Sequence, residues 1–138
     1  MNDYAKPLPS LDDDVTAPYW AAAAEHRLVL PRCRDCGGVF FYPRRFCPAC
    51  WSERLEWVDA SGSGRVWSLT FVHVPFYDDT WTSDVPYCVG IVELDEGVRL
   101  VTNFVGVQPG AVHVGDPVRV VFDDVTAEVT LPKFEVAR

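Results

Sequence analysis

The chain has 138 residues, a formal net charge of −8, and 49% hydrophobic and 13% aromatic residues. That is material for one compact domain, or for a small metal module joined to a minimal barrel, and no apolar run approaches the ~20 residues of a membrane span. Charge is uneven: residues 1–58 carry seven Lys or Arg against eight Asp or Glu, whereas residues 59–138 carry five against twelve.

Residues 1–15, with Pro7, Pro9 and the run Asp12, Asp13, Asp14, lack periodicity and read as an extended arm. Thr16 can cap a helix whose first turn tolerates Pro18, and the alanines that follow are strong helix formers, which predicts a helix over 17–26. A helix of that length is marginal alone, so Tyr19 and Trp20 need a packing partner, either this domain or another protein. Residues 28–30, 39–42 and 55–58 read as short strands.

Between these strands stand Cys33-x-x-Cys36 and Cys47-x-x-Cys50, with ten residues between the two pairs. Each pair can turn two sulfurs toward one point, and the connecting loop is long enough to complete a tetrahedron. Four thiolates leave no open position for substrate or an activated water, so the metal is expected to be structural. Two disulfides or a redox pair fit less well. The cysteine count of five is odd, the residues after Met1 lack the apolar run of a secretory signal, and redox chemistry needs only one pair. A reducing cytoplasm is therefore expected, with zinc in the site. Iron stays open because Gly37 follows Cys36 as in a rubredoxin knuckle, although Trp51 takes that place after Cys50.

Arg27, Arg32, Arg34, Arg44, Arg45 and Arg54 crowd this region, opposed locally by Asp35 and Glu53. Pro43 interrupts a strand and is expected to turn Arg44 and Arg45 outward near the metal. They form either a phosphate or acidic-partner contact or a solvated face.

Residues 59–64 have the small-residue composition of a junction. Gly62-Ser63-Gly64 lacks the glycine spacing of a nucleophile elbow, so Ser63 reads as a linker serine. Five strands are predicted beyond it, over 66–74, 87–94, 98–105, 118–123 and 127–134. Asp95-Glu96-Gly97 forms a tight hairpin and Gly115-Asp116-Pro117 delivers the fourth strand. Five strands in so short a span favour a closed oligonucleotide/oligosaccharide-binding (OB) barrel over a sandwich. Residues 75–86, carrying Phe76, Tyr77 and Trp81, read as an exposed loop, offering either a contact surface or a cover for the barrel mouth. The fold class is thus mainly β, divided into an arm and helix (1–30), a zinc ribbon (31–58) and an OB-fold domain (59–138).

No catalytic set is visible. His26, His73 and His113 lack a sequence-local partner, Cys88 reads as a buried small hydrophobe, and the pairs Asp78-Asp79 and Asp123-Asp124 are adjacent rather than facing.

The order of parts resembles the family numbered thirty-five among domains of unknown function, a rubredoxin-like zinc ribbon fused to an OB fold. The resemblance rests on Tyr19-Trp20, Cys33-x-x-Cys36-Gly37, Pro43-Arg44, Cys47-Pro-x-Cys50, Ser61-Gly-x-Gly64, Pro86-Tyr87, Val92-Glu-Leu-Asp-Glu-Gly97 and Gly115-Asp116-Pro117-Val118. It implies a non-catalytic accessory subunit of a thiolase-superfamily enzyme, acting in thiolase, acyltransferase or steroid side-chain aldolase complexes on acyl-CoA. It also implies that ribbon and leading helix dock the partner, with coenzyme A thioester a ligand of the complex. The competing reading is a zinc-ribbon and OB-fold nucleic-acid-binding module. The acidic second half opposes it, because single-strand binding needs a basic groove. The expectation is therefore no nucleic acid and no membrane.

Overall fold

The computed structural model describes residues 4–75 and 79–137. Helix α1 (Ala17–Ala24) leads into a two-stranded antiparallel sheet of β1 (Val29–Cys33) and β2 (Leu55–Asp59). The barrel follows with β3 (Ser63–Val72), β4 (Tyr87–Leu94), β5 (Arg99–Phe104), β6 (Pro117–Asp124) and β7 (Thr130–Val136). Its strands close in the order β3-β4-β5-β7-β6, with β6 returning to β3. All pairs are antiparallel except β5 with β7, which meet in parallel at Phe104 and Phe134. This is the five-stranded OB barrel expected from the strand count.

Alternation drives the closure. Along β5, Leu100, Thr102 and Phe104 are buried while Arg99 and Val101 are exposed, so one face enters the barrel and the other meets solvent. Inward residues Val66, Val92, Phe104, Val118 and Phe134 form a core shared with Tyr19 and Ala22 of α1 and with Leu28, Val29 and Leu30 at the root of the ribbon. The helix is thus packed against this domain, supplying the partner that its short length requires.

The helix is shorter than expected and ends differently. His26 adopts a left-handed φ of 60°, and the amides of His26 and Arg27 donate to the carbonyls of Ala23 and Ala22 at 2.8 and 2.9 Å. These two bonds form a Schellman stop with histidine where glycine is usual. Thr16 occupies the cap position without a side-chain cap bond. The turn before it is organised by Asp13 instead, whose carboxylate accepts from the Val15 amide at 2.8 Å and whose carbonyl accepts from that of Ala17 at 2.7 Å.

Three further expectations are corrected. The strand predicted over 39–42 reduces to a single bridge between Val39 and Arg32, with Phe40 N donating to the Pro31 carbonyl at 3.1 Å. Beyond it the chain leaves the ribbon: the Phe41 ring packs 5.3 Å from Tyr19, and the Tyr42 hydroxyl accepts from the Val101 amide of β5 at 2.8 Å. The small residues of 61–64 are built into the barrel. Ser63 and Gly64 begin β3, and a Cβ at Gly64 would run into the Glu93 backbone of β4, so this glycine serves close strand approach rather than slack. Finally, β7 starts three residues later than predicted. The Thr126 hydroxyl takes the amides of Glu128 and Val129 at 3.1 and 2.9 Å, holding 126–129 in a turn.

Candidate metal centre and adjoining surfaces

The two Cys-x-x-Cys segments form matching knuckles. Cys33 N donates to the Gly38 carbonyl and Gly37 N to the Cys33 carbonyl, both at 2.9 Å; Cys47 N donates to Ser52 O and Trp51 N to Cys47 O, again at 2.9 Å. Gly37 and Trp51 occupy equivalent left-handed positions, with φ of 78° and 66°. Left-handed backbone disfavours a side chain, so Trp51 is tolerated there because two backbone bonds and the cysteines at 47 and 50 fix the turn.

The four sulfurs lie within 4.8 Å of one another, with Cys33 to Cys50 and Cys36 to Cys47 each at 3.6 Å. These separations are far too long for disulfides and match the edge of about 3.8 Å that a tetrahedron with Zn–S bonds near 2.3 Å requires. Cys33 and Cys47 are buried, and Cys36 and Cys50 are exposed. The Cys36 amide, 3.5 Å from the Cys33 sulfur, is the largest influence holding the Cys33 thiol down to about 6, and Asp35 N–H adds to it. Cys47 is lowered in the same way by the amides of Cys50 and Ala49. Amides aimed at two sulfurs favour the thiolate form a metal needs.

The arginines around the knuckles are less free than their number suggests. Arg54 lies 2.9 Å from Asp35, Arg34 is 3.3 Å and Arg32 is 3.7 Å from Glu56, and Arg27 is 3.4 Å from Asp59. Glu56 and Asp59 come from β2, so strand pairing, rather than sequence proximity, neutralises this region. Arg45 reaches Asp14 of the arm at 2.8 Å, whereas Arg44 makes no ion pair among the described residues. Both are exposed and line a cavity of about 300 Å3 with Pro43, Glu53 and Trp57.

The remaining candidates are dispersed. Cys88 is 2% exposed at the start of β4, and burial pushes its thiol up. His73 and His113 are exposed, with His113 Nδ1 3.7 Å from Asp116. His26 meets Asp124 at 3.0 and 3.1 Å and stacks on Phe122, a contact across 98 positions that no local pattern shows. Of the loop aromatics, Phe76, Tyr77 and the neighbouring Asp78 lie outside the described residues. Trp81 is half-buried in a 3-10 turn with its ring 5.0 Å from Tyr87. Among the described residues no helix is long and apolar enough to cross a membrane.

Two family models match the chain in succession. The ChsH2 rubredoxin-like zinc ribbon domain model matches residues 20–56, and the ChsH2 C-terminal OB-fold domain model matches residues 57–123. A DUF35 domain-containing scaffold protein of Methanothermobacter thermautotrophicus is 38% identical over 104 residues, covering 75% of this chain and 77% of that protein. The chain belongs to the DUF35 family. The zinc-ribbon match and the four clustered cysteines together support a structural zinc in this DUF35 chain. Its fold superposes on a chain of the solved Ltp2-ChsH2(DUF35) aldolase with a TM-score of 0.83 and 36% identity, covering 96% of this chain and 100% of that one. A probable enoyl-CoA hydratase alpha subunit of Thermomonospora curvata is 38% identical over 132 residues. The DUF35 chain spans only 40% of that relative's length.

Proposed function

We propose that this chain is a non-catalytic accessory subunit that binds a thiolase-superfamily enzyme and supports carbon–carbon bond cleavage or formation on an acyl-CoA. The observation that carries the reading is its likeness, over the full length of the matched chain, to the DUF35 component of an aldolase. A relative named as the BbsA subunit of a benzoylsuccinyl-CoA thiolase from Geobacter metallireducens, 31% identical over 75 residues, points to the same class of assembly. Physical chemistry agrees. Cys33, Cys36, Cys47 and Cys50, taken as the zinc ligands, form a closed shell with no position for substrate, so the metal would hold the ribbon rather than perform chemistry. Five free thiols suit a reducing cytoplasm.

Arg44 and Arg45 are the side chains assigned to the acidic partner face or to the phosphates of coenzyme A, because both stand exposed beside Pro43 and only Arg45 has an intramolecular carboxylate. A nucleic-acid role is disfavoured by the barrel surface. Arg99 lies 3.6 Å over the Trp67 ring and 2.9 Å from Glu93, and Arg119 is 2.9 Å from Glu135, so these cations and this aromatic face are already engaged.

The test is co-expression with a thiolase-superfamily protein from the same organism, with each protein assayed singly and together for acyl-CoA cleavage or condensation. The pair should co-elute, through an interface above ~1,000 Å2, and turn over substrate only together. Replacing Arg44 and Arg45 by Ala should weaken assembly or raise KM while leaving the melting temperature unchanged, since exposed charges contribute little to folding. Turnover by this chain alone, or full activity of the partner without it, overturns the accessory role.

A further inference from the structure

A cavity of about 340 Å3 lies between α1 and the barrel, and neither the cysteine cluster nor Arg44 and Arg45 line it. It forms where the barrel wall is incomplete. β5 and β7 pair only at Phe104 and Phe134. Pro132, two residues before Phe134 and so on the same edge of β7, has no N–H to carry the ladder further. Buried Leu100 and Thr102 line the opening from the barrel, and Trp20 of α1 lines it with Phe41 and Tyr42. A volume of this size with a largely apolar lining is that of a small-molecule pocket.

Hydroxyl groups supply its free polar atoms. Tyr19 lines the cavity at only 8% exposure, with its ring held 5.0 Å from Trp20 and 5.3 Å from Phe41. Its hydroxyl has no hydrogen-bond partner among the described residues. No fully buried side-chain nitrogen or oxygen is left unpaired there, so this hydroxyl keeps an open face. Burial first, and neighbouring Tyr42 second, raise its pKa above that of an ordinary phenol, so Tyr19 remains an O–H donor at neutral pH. The Tyr42 hydroxyl accepts from the Val101 amide at 2.8 Å and donates to no described residue. Thr16, whose hydroxyl makes no cap bond, adds a third hydroxyl to the lining.

The donors of the other polar side chains are engaged. Lys133 Nζ lies 2.6 Å from Asp123, Asn103 Nδ2 donates to the Cys88 carbonyl at 3.0 Å, and the Thr102 hydroxyl donates to the Asn103 carbonyl at 3.2 Å. An anionic guest would therefore lose its hydration without meeting an unpaired cation. A purely apolar guest would cover the phenol hydroxyls without pairing them, which is also unfavourable.

We propose that this cavity is a binding site for an uncharged, largely apolar molecule bearing a carbonyl oxygen, which the hydroxyls of Tyr19 and Tyr42 receive. This assignment stands apart from the partner reading and is tested on the chain by itself.

The experiment titrates the zinc-loaded full chain with three two-ring probes, followed residue by residue by amide NMR. They are 2-acetylnaphthalene, a ketone; 2-ethylnaphthalene, which lacks the oxygen; and 2-naphthoate, an anion. The ketone should bind once per chain and shift the amides of Leu100, Val101 and Thr102 and the indole N–H of Trp20. The other two should bind about fivefold more weakly or worse, the factor that one hydrogen bond supplies. Tyr19→Phe and Tyr42→Phe keep the rings and should each weaken ketone binding by a similar factor while leaving 2-ethylnaphthalene unchanged. Should Tyr19→Phe melt lower than wild type, the comparison of ketone with hydrocarbon on the wild-type chain decides the same question. Equal affinity for ketone and hydrocarbon, or equal losses for both in the tyrosine variants, overturns the carbonyl assignment. Naphthoate binding as tight as the ketone overturns the uncharged guest. No shift at Leu100 to Thr102 with any probe, or shifts confined to another part of the barrel, overturns the site.

Discussion

Cys33 and Cys88 are both almost fully buried, at 0% and 2% exposure, yet their surroundings oppose each other. Amides converge on the Cys33 sulfur and three other thiols stand nearby, whereas Cys88 sits among apolar side chains that favour its neutral form. Elemental analysis should therefore find Cys33→Ser stripped of zinc and unfolded in the ribbon, because metal binding and folding are one free energy in such modules. Cys88→Ser should keep one zinc per chain; full zinc in Cys33→Ser would sink the ligand assignment. Asp124 offers a second residue-scale test. The Thr130 hydroxyl first, and His26 second, hold its carboxyl below the usual range. A depressed folded-state value contributes stability above the unfolded value of about 3.9 and loses it as pH falls through the folded value. The difference in melting temperature between wild type and Thr130→Val should accordingly shrink from about pH 5 to about pH 2. A constant difference would show that the hydroxyl acts only through packing.

At the scale of elements, the segment after the first knuckle joins ribbon to barrel instead of pairing within the ribbon. Its Tyr42 hydroxyl caps the outward amide of Val101, on a strand whose other side meets β7 at a single position. An edge amide needs a partner. Tyr42→Phe should leave the fold intact, cost about 1 kcal/mol or less, and raise hydrogen exchange at the Val101 amide specifically. Exchange spread evenly over β5 would assign Tyr42 a packing role alone. The arginines follow the same logic: Glu56 on β2 reaches both Arg32 and Arg34 only because the two ribbon strands pair in register, Arg32 facing Glu56.

Across the whole molecule, helix, ribbon root and barrel share one hydrophobic core. Tyr19 and Leu30 touch the same cluster as Val92 and Phe134, so the ribbon is a wall of the fold rather than an appendage. Removal of zinc by a chelator should consequently lower the melting temperature of the barrel, with faster amide exchange at Leu30, Val92 and Leu100 together. Barrel protection that survives chelation unchanged would make the ribbon an independent unit. The shared core also explains how a chain this short holds two surfaces, knuckle and barrel, at a fixed mutual distance.

Local spacing by itself pointed to the cysteine cluster, since two Cys-x-x-Cys pairs fall within 18 residues from Cys33 to Cys50, and the fold brings their four sulfurs within 4.8 Å of one another. Alternation and turn chemistry likewise determined the barrel: β4 spans the predicted 87–94, and the Asp95 to Gly97 turn joins it to β5. These features rest on neighbours in sequence. Only the tertiary structure decided the partners of the arginines, the turn of residues 39–42 toward the barrel, the burial of Gly64 and the pairing of His26 with Asp124. Each depends on which distant backbone the closed barrel brings within a few ångströms, and neither periodicity nor spacing along one chain encodes that distance. The ion pair of Lys6 with Asp84 belongs to the same class, because the two meet only once β4 has set the loop before it against the arm.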